Sequence, residues 1–248
     1  MEVVDVPAQS HPWDTVLAVA RHFDVDEWLL TGGLMVQVHA MRHGLTSRAT
    51  TDADFLLDIL TYGRIAARMC NFLVTMGFEL DVDTMTEYAT RMRTESHHQV
   101  DLMVTDYLYG REKRENATLS GRRLCGMPAG GQAIRRSERL LIRYREETVP
   151  IRVPDLLGAV MLKSAAWSVD RTDRRGRHLA DAALLLSFID DPDGQIARLH
   201  SRNDRKRLLL LRRMLPDESE YWRSLDDMHR QNGIDVLDTL AGWAAGTD

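Results

Sequence analysis

The chain has 248 residues, of which 44% are apolar and 28% charged, and its formal net charge is −5. This composition excludes disordered and fibrous proteins, and because no apolar run reaches about 18 residues, we expect no membrane-spanning helix. The first five residues lack the basic start of a secretory signal, and two cysteines are too few for a disulfide framework. We therefore expect a cytoplasmic protein with no membrane partner.

The first hundred residues alternate between helix and strand patterns. Apolar spacing predicts helices over 13–23, 34–42 and 62–76. Alternation and turn residues predict strands over 27–31, 53–59, 78–82, 86–93 and 99–104. The last two strands form a predicted hairpin around 94–98. This order indicates a small mixed sheet with helices on one face.

The second half is predominantly helical in pattern. Residues 106–131 show no periodicity and are predicted as a basic, glycine-containing loop. Strands are predicted over 138–144 and 149–153, and helices from Pro154 to Trp167 and over 178–188, 195–215 and 234–244. The fold class is therefore α+β, with a mixed domain over 1–150 and a mostly helical domain over 151–248.

Positive charge is concentrated in two segments. Residues 111–145 carry a net +7 and residues 198–213 a net +6, which leaves −18 on the remainder of the chain. Two basic segments in an acidic protein favour a polyanionic partner such as a nucleic acid. Charged helix faces exposed to water produce the same pattern.

Gly32 and Gly33 stand between a predicted strand and a predicted helix. Glycines in this place let backbone N–H groups approach a ligand closely, and a helix that starts at Leu34 directs its partial positive charge at an anion. A tight turn without any ligand is the alternative interpretation.

Three aspartates precede or begin apolar strands. Asp52 and Asp54 are two positions apart, so both carboxylates project from one face, about 7 Å apart at their Cα atoms. Their repulsion is relieved by a divalent cation, and oxygen ligands favour Mg²⁺ or Mn²⁺. Asp101 adds a third carboxylate if the strands are adjacent, as a two-cation phosphoryl-transfer site requires. The alternatives are an acidic turn for the pair and a water-facing Asp101.

Lys163 lies within a strongly apolar helix, and Asp181 lies on the helix that follows. A lysine in this place can reach a triphosphate, and Asp181 is expected to hold Lys163 or an arginine. The alternative is a lysine whose ammonium reaches solvent, next to an ordinary acid near a helix start.

The order of these features is more specific than any one of them. Gly-Gly is followed by Arg-Ala-Thr-Thr-Asp-Ala-Asp over 48–54, a strand aspartate, Lys-Ser-Ala-Ala over 163–166 and an aspartate on the next helix. This order resembles the DNA polymerase β-like nucleotidyltransferases, and most closely the AbiE-type toxins (the AbiEii/MenT-like group), over roughly residues 28–190. Two departures are a Gly-Gly where many members have Gly-Ser, and His178 with a single acid, Asp181, where the group often has Lys-Asp.

The resemblance implies a polymerase β-like catalytic domain that transfers NMP from an NTP to an acceptor hydroxyl with Mg²⁺ or Mn²⁺. Metal binding is then assigned to Asp52, Asp54 and Asp101, with Asp101 alternatively deprotonating the acceptor. Nucleotide binding is assigned to Gly32, Gly33, Arg48, Thr51 and Lys163. The catalytic set is Asp52, Asp54, Asp101, Lys163 and Asp181.

The resemblance also implies a biological role. A toxin of a toxin–antitoxin pair would modify RNA, most plausibly the 3′ end of a tRNA, and would have an antitoxin protein as a partner. The alternatives are a nucleotidyltransferase that modifies a small antibiotic and an inactive relative that only binds a nucleotide or a protein. The acids and Lys163 argue against the inactive relative.

Overall fold

This computed structural model describes residues 1–81, 88, 90–106, 108, 111–172 and 175–246, and for 111–113 it describes the backbone alone. The strands are β1 Val3–Asp5, β2 Trp28–Leu30, β3 Asp52–Leu57, β4 Glu79–Leu80, β5 Arg91–Arg93, β6 Gln99–Thr105, β7 Thr118–Leu119, β8 Arg122–Arg123, β9 Cys125–Met127, β10 Ser137–Tyr144 and β11 Glu147–Pro154. The helices are α1 Trp13–His22, α2 Gly32–Arg42, α3 Ile65–Thr75, α4 Arg111–Asn116, α5 Gly130–Arg135, α6 Leu156–Val169, α7 Gly176–Leu186, α8 Pro192–Ile196, α9 Arg202–Met214 and α10 Asp227–Ala245. The α+β fold class is confirmed.

A mixed six-stranded sheet lies at the centre of the first half. Its strand order is β2-β3-β6-β5-β4, and β9 pairs with the carboxyl-terminal end of β6. β3 runs parallel to β6 with Asp54 opposite Asp101, whereas β5 runs antiparallel to β6 with Arg91 opposite Asp101. The predicted hairpin around 94–98 is therefore confirmed for 91–93 and 99–101. A separate three-stranded sheet has the order β1-β10-β11.

Two apolar clusters lie on opposite faces of this sheet, because successive strand residues point to opposite faces. Trp28, Phe55 and Leu57 pack in one cluster with α1, α3 and the three-stranded sheet. Leu29 and Leu56 pack in the other with α6, α7, α9 and α10. β3 is buried on both faces beyond Asp54, which explains its continuous apolar run.

Three predictions of secondary structure are wrong. Residues 106–131 are not a loop throughout, because α4, β7, β8, β9 and the start of α5 lie there, in pieces too short to produce periodicity. The helix over 195–215 is two helices, since Ser201 and Asp204 form a capping box that starts α9 anew. α10 begins before 234, where the Asp226 side chain accepts a hydrogen bond from the His229 backbone.

Some expectations concern residues outside the described part of the chain. The strand over 86–93 is described as a strand only at 91–93, and positions 82, 86, 87 and 89 are not among the described residues. Within the described residues, every helix is too short or too polar to cross a membrane.

Candidate active site

A cavity of about 320 Å³ lies between the sheet, the start of α2 and the helices α6 and α7. One side, the acidic wall, is formed by Asp52, Asp54 and Asp101 from β3 and β6. A second group of lining residues, the basic wall, consists of Arg48, Lys163, Arg177 and His178. The cavity thus holds two walls of opposite charge.

Most of the residues singled out in the sequence meet in this cavity. The lining includes Gly32, Gly33, Arg48, Asp52, Asp54, Asp101 and Lys163. Asp181 is buried behind Lys163 rather than in the lining. Thr51 is exposed, and its hydroxyl donates to Asp52 Oδ1 at 2.9 Å, while its neighbour Thr50 lines the cavity.

The backbone at Gly32 and Gly33, the glycine turn, lies against the side chains of Asp54 and Thr50. Gly32 has φ +64°, and a Cβ there would lie 1.7 Å from Asp54 Oδ2. A Cβ on Gly33 would lie 2.8 Å from the Thr50 hydroxyl oxygen. The Thr31 backbone N–H also donates to the Asp54 carbonyl at 2.9 Å. Any larger residue at position 32 would therefore displace Asp54 and force an unfavourable backbone conformation.

Asp52 and Asp54 are half-buried on the same face of β3, with Ala53 buried between them. Burial and the charge of Asp101 raise the pKa of Asp54 to about 6, against the opposing effect of Lys163. A cation next to this carboxylate would restore its ionised form.

The residues present fit a Mg²⁺ ion that arrives with a phosphate substrate. Protein Mg²⁺ sites commonly use one or two carboxylates, and substrate phosphates and water complete the coordination. Asp52 and Asp54 supply the two carboxylates. Across the described ranges, no three His, Cys, Asp or Glu side chains are already assembled as a metal cluster. The site therefore suits a metal shared with a substrate rather than a closed protein cage.

Asp101 has a partner that the sequence prediction did not include. Arg91 Nε and Nη2 donate to the two Asp101 oxygens at 2.9 and 2.8 Å, and Gln99 Nε2 donates to Oδ2 at 3.3 Å. The sequence contains an indication of this contact, because a hairpin centred on the predicted turn at 94–98 places Arg91 opposite Asp101.

Lys163 is buried at the boundary between α6 and the glycine turn, with its side chain 5% exposed. Its Nζ donates to the Gly32 carbonyl at 2.9 Å and to Asp181 Oδ2 at 2.7 Å. These partners compensate for the desolvation of the ammonium group. A lysine in an apolar helix is thus explained by contacts with the first half of the chain and with α7.

Asp181 pairs with Lys163 and also with an arginine, Arg48, whereas the sequence prediction gave a lysine or an arginine as alternatives. Arg48 Nε and Nη2 donate to its two oxygens, each at 3.1 Å. Burial raises the pKa of Asp181, but Lys163 and Arg48 outweigh burial, so this pKa lies below its ordinary value. Asp181 therefore remains ionised at neutral pH and orients Lys163.

A histidine–aspartate pair completes the basic wall. His178 Nε2 lies 3.0 Å from Asp170 Oδ2, and Asp170 ends α6 and was not predicted from the sequence. Burial and the nearby Lys163 lower the pKa of His178 below its ordinary value. The ring is therefore neutral at pH 7, with Nε2 as the donor to the carboxylate.

The apolar part of the lining comes from several elements. It consists of Met103, Met127, Pro128, Leu162, Ala166 and Val169, together with Met35. An apolar surface next to a charged one is typical of sites that hold an aromatic ring and fix it through a few polar groups. Residues 127–128 lie in the segment that the sequence analysis assigned to a loop.

The basic segments carry less free charge than their composition indicates. Four of their arginines form ion pairs with acids outside these segments, and Arg136 pairs with Asp204 inside the second one. The four are Arg139 with Asp26, Arg143 with Asp5, Arg198 with Asp155, and Arg212 with Asp217 and Asp238. By contrast, Lys206 and Arg213 are exposed on α9. They line an open groove that shares Pro128 with the cavity.

Comparisons with known proteins give one partial similarity. No family model and no curated protein matches the chain. The crystal structure of an antigenic nucleotidyltransferase-like protein from Paracoccidioides brasiliensis is similar over 84% of this chain and 90% of that chain, with 15% identity and a TM-score of 0.49. At this identity and TM-score the similarity does not decide the activity of the chain.

Proposed function

We propose that the chain is a nucleotidyltransferase that transfers NMP from an NTP to an acceptor hydroxyl. The observation that carries this proposal is the cavity in which carboxylates and a lysine meet at the glycine turn. Asp54 lies against Gly32, and the Lys163 ammonium group donates to the Gly32 carbonyl. A magnesium-bound triphosphate carries the complementary charges, because its cation suits carboxylates and its anionic oxygens suit a lysine.

The roles of the residues follow from their contacts. Asp52 and Asp54 would hold Mg²⁺, which when bound supplies positive charge that stabilises the transition state. Lys163 has three N–H donors and uses two on protein oxygens, which leaves one for a phosphate. Arg48 acts through Asp181 as a positioning residue, since both carboxylate oxygens accept from it.

The reaction requires one bond to form and one to break. The acceptor oxygen attacks the α-phosphorus, and the bond between the α-phosphorus and the bridging oxygen breaks as pyrophosphate leaves. The amides at Gly32 and Gly33 would bind phosphate oxygens at the start of α2. The acceptor proton would pass to a carboxylate of the acidic wall, with Asp101 as the candidate that the resemblance implies.

We propose RNA, and specifically a tRNA 3′ end, as the acceptor, in the manner of a toxin controlled by an antitoxin. The open groove with Lys206 and Arg213 supports this choice, because it shares Pro128 with the cavity and carries exposed positive charge. The pairing of five arginines in the basic segments favours a second candidate, a small cationic acceptor attracted by the acidic wall.

Radioactive label transfer distinguishes these candidates. The chain is incubated with Mg²⁺, each of the four α-³²P NTPs, and either total RNA or an aminoglycoside mixture. Label in RNA supports the first candidate, and label in an aminoglycoside alone supports the second. Asp54→Asn serves as the inactive control. Absence of label with every NTP and both acceptors would refute the proposed activity.

A further inference from the structure

The β5–β6 hairpin places an arginine directly beside the third aspartate of the acidic wall. Arg91 and Asp101 are cross-strand partners, so their contact is fixed by the register of the sheet. Arg91 lines the cavity, and its side chain is 42% exposed, whereas Asp101 is 13% exposed. The arginine is therefore the member of the pair that a ligand in the cavity reaches more easily.

Arg91 retains donors for such a ligand. A guanidinium group has five N–H donors, and Asp101 accepts from Nε and from one N–H of Nη2. The two N–H groups of Nη1 and the second one of Nη2 are left over after this pairing. A planar arginine held from one side by a carboxylate is well suited to bind a phosphate from the other side.

Asp101, in turn, is poorly suited to bind a second metal ion. Both of its oxygens accept hydrogen bonds from Arg91, and Oδ2 also accepts one from Gln99. A metal ion at Asp101 would have to displace a bidentate, charge-assisted pair.

We propose that Arg91 supplies the positive charge that a second metal ion would otherwise bring, and that Asp101 orients it. This inference rests on the proposed function. A single divalent cation then binds at Asp52 and Asp54, and Arg91 binds oxygens of the phosphate chain. Asp101 is a positioning residue for Arg91 and not a metal ligand.

The test counts metal ions and measures nucleotide affinity, so it needs no turnover. Binding of the four α,β-methylene NTP analogues is measured by calorimetry, and the tightest of them is used afterwards. Bound Mn²⁺ is counted by electron paramagnetic resonance at saturating analogue. The variants are Arg91→Gln, Arg91→Lys and Asp101→Asn. The matched control is Arg93→Gln, since Arg93 lies on the same strand and pairs with Asp81 instead.

The wild-type chain is expected to bind one Mn²⁺, and Asp101→Asn is expected to keep that number. Arg91→Gln should weaken analogue binding by about tenfold or more, Arg91→Lys should restore part of the loss, and Arg93→Gln should change it by less than about twofold. Two Mn²⁺ ions in the wild type, of which Asp101→Asn removes one, would overturn the inference, as would unchanged analogue affinity in Arg91→Gln. If no analogue binds the wild type, the proposed function fails as well.

Discussion

Replacement of Asp54 by asparagine should make the metal-free protein more stable while removing the proposed metal site. Burial raises the pKa of Asp54 from 3.8 to about 6, so the folded state holds a proton there that the unfolded state has released. Between pH 3.8 and about pH 6 the free energy of unfolding therefore falls as the pH rises. Above about pH 6 the carboxylate is ionised in both states, and the full free-energy cost of its burial applies. A shift of about two pKa units corresponds to about 3 kcal/mol. The asparagine side chain carries no charge and avoids this cost.

Urea denaturation in the presence of a chelator measures this effect. At pH 7 the Asp54→Asn variant should unfold with a free energy up to about 3 kcal/mol higher than the wild type, and at pH 5 the gain should be about 1 kcal/mol smaller. Added Mg²⁺ should stabilise only the wild type. The control Asp193→Asn removes an exposed carboxylate and should change stability by about 0.5 kcal/mol or less. A variant less stable than the wild type, or a gain that does not depend on pH, would refute the reasoning.

Four further predictions concern other parts of the molecule. Lys163→Ala should weaken NTP binding at least about tenfold in calorimetry, and unchanged affinity would reduce Lys163 to a structural role. Gly32→Ala should abolish Mn²⁺ binding, because its Cβ would occupy the position of Asp54 Oδ2. Arg136→Ala should lower the unfolding free energy by about 3 kcal/mol, since it leaves the buried Asp204 unpaired; wild-type stability in urea would contradict this. The double variant Lys206→Glu/Arg213→Glu should weaken RNA binding and flatten its salt dependence by about two units of log–log slope, without changing NTP affinity; if RNA binding is unchanged, the groove is not the acceptor path.

The sequence predicted the acidic wall because strand periodicity determines it. Asp52 and Asp54 share a face by alternation, and the parallel pairing of β3 with β6 brings Asp101 level with Asp54. The turn at 94–98 even contained the register that pairs Arg91 with Asp101. The shared face of Asp52 and Asp54 and the hairpin register depend on local spacing, which a sequence displays directly, whereas the pairing of β3 with β6 was a condition of the prediction.

The basic wall was harder to predict because its contacts connect distant segments. Arg48 and Asp181 are separated by 133 positions, and no local pattern indicates that they meet. The segment 106–131 was missed for a different reason, since strands of two or three residues produce no periodicity. The interruption between α8 and α9 was missed because the apolar residues of α9 dominate the pattern over 195–215. The capping box at Ser201 and Asp204 is the sequence feature that indicates it.

The position of Lys163 makes the proposed active site dependent on both halves of the chain. Its ammonium group joins a carbonyl of the glycine turn to a carboxylate of α7, and that carboxylate also holds Arg48 from the segment before β3. Separation of α6 and α7 from the sheet would keep the pair of Lys163 and Asp181 but would remove the partners of Arg48 and of the Gly32 carbonyl. The glycine turn therefore keeps its contact with Lys163 only while the helical half is packed against the sheet.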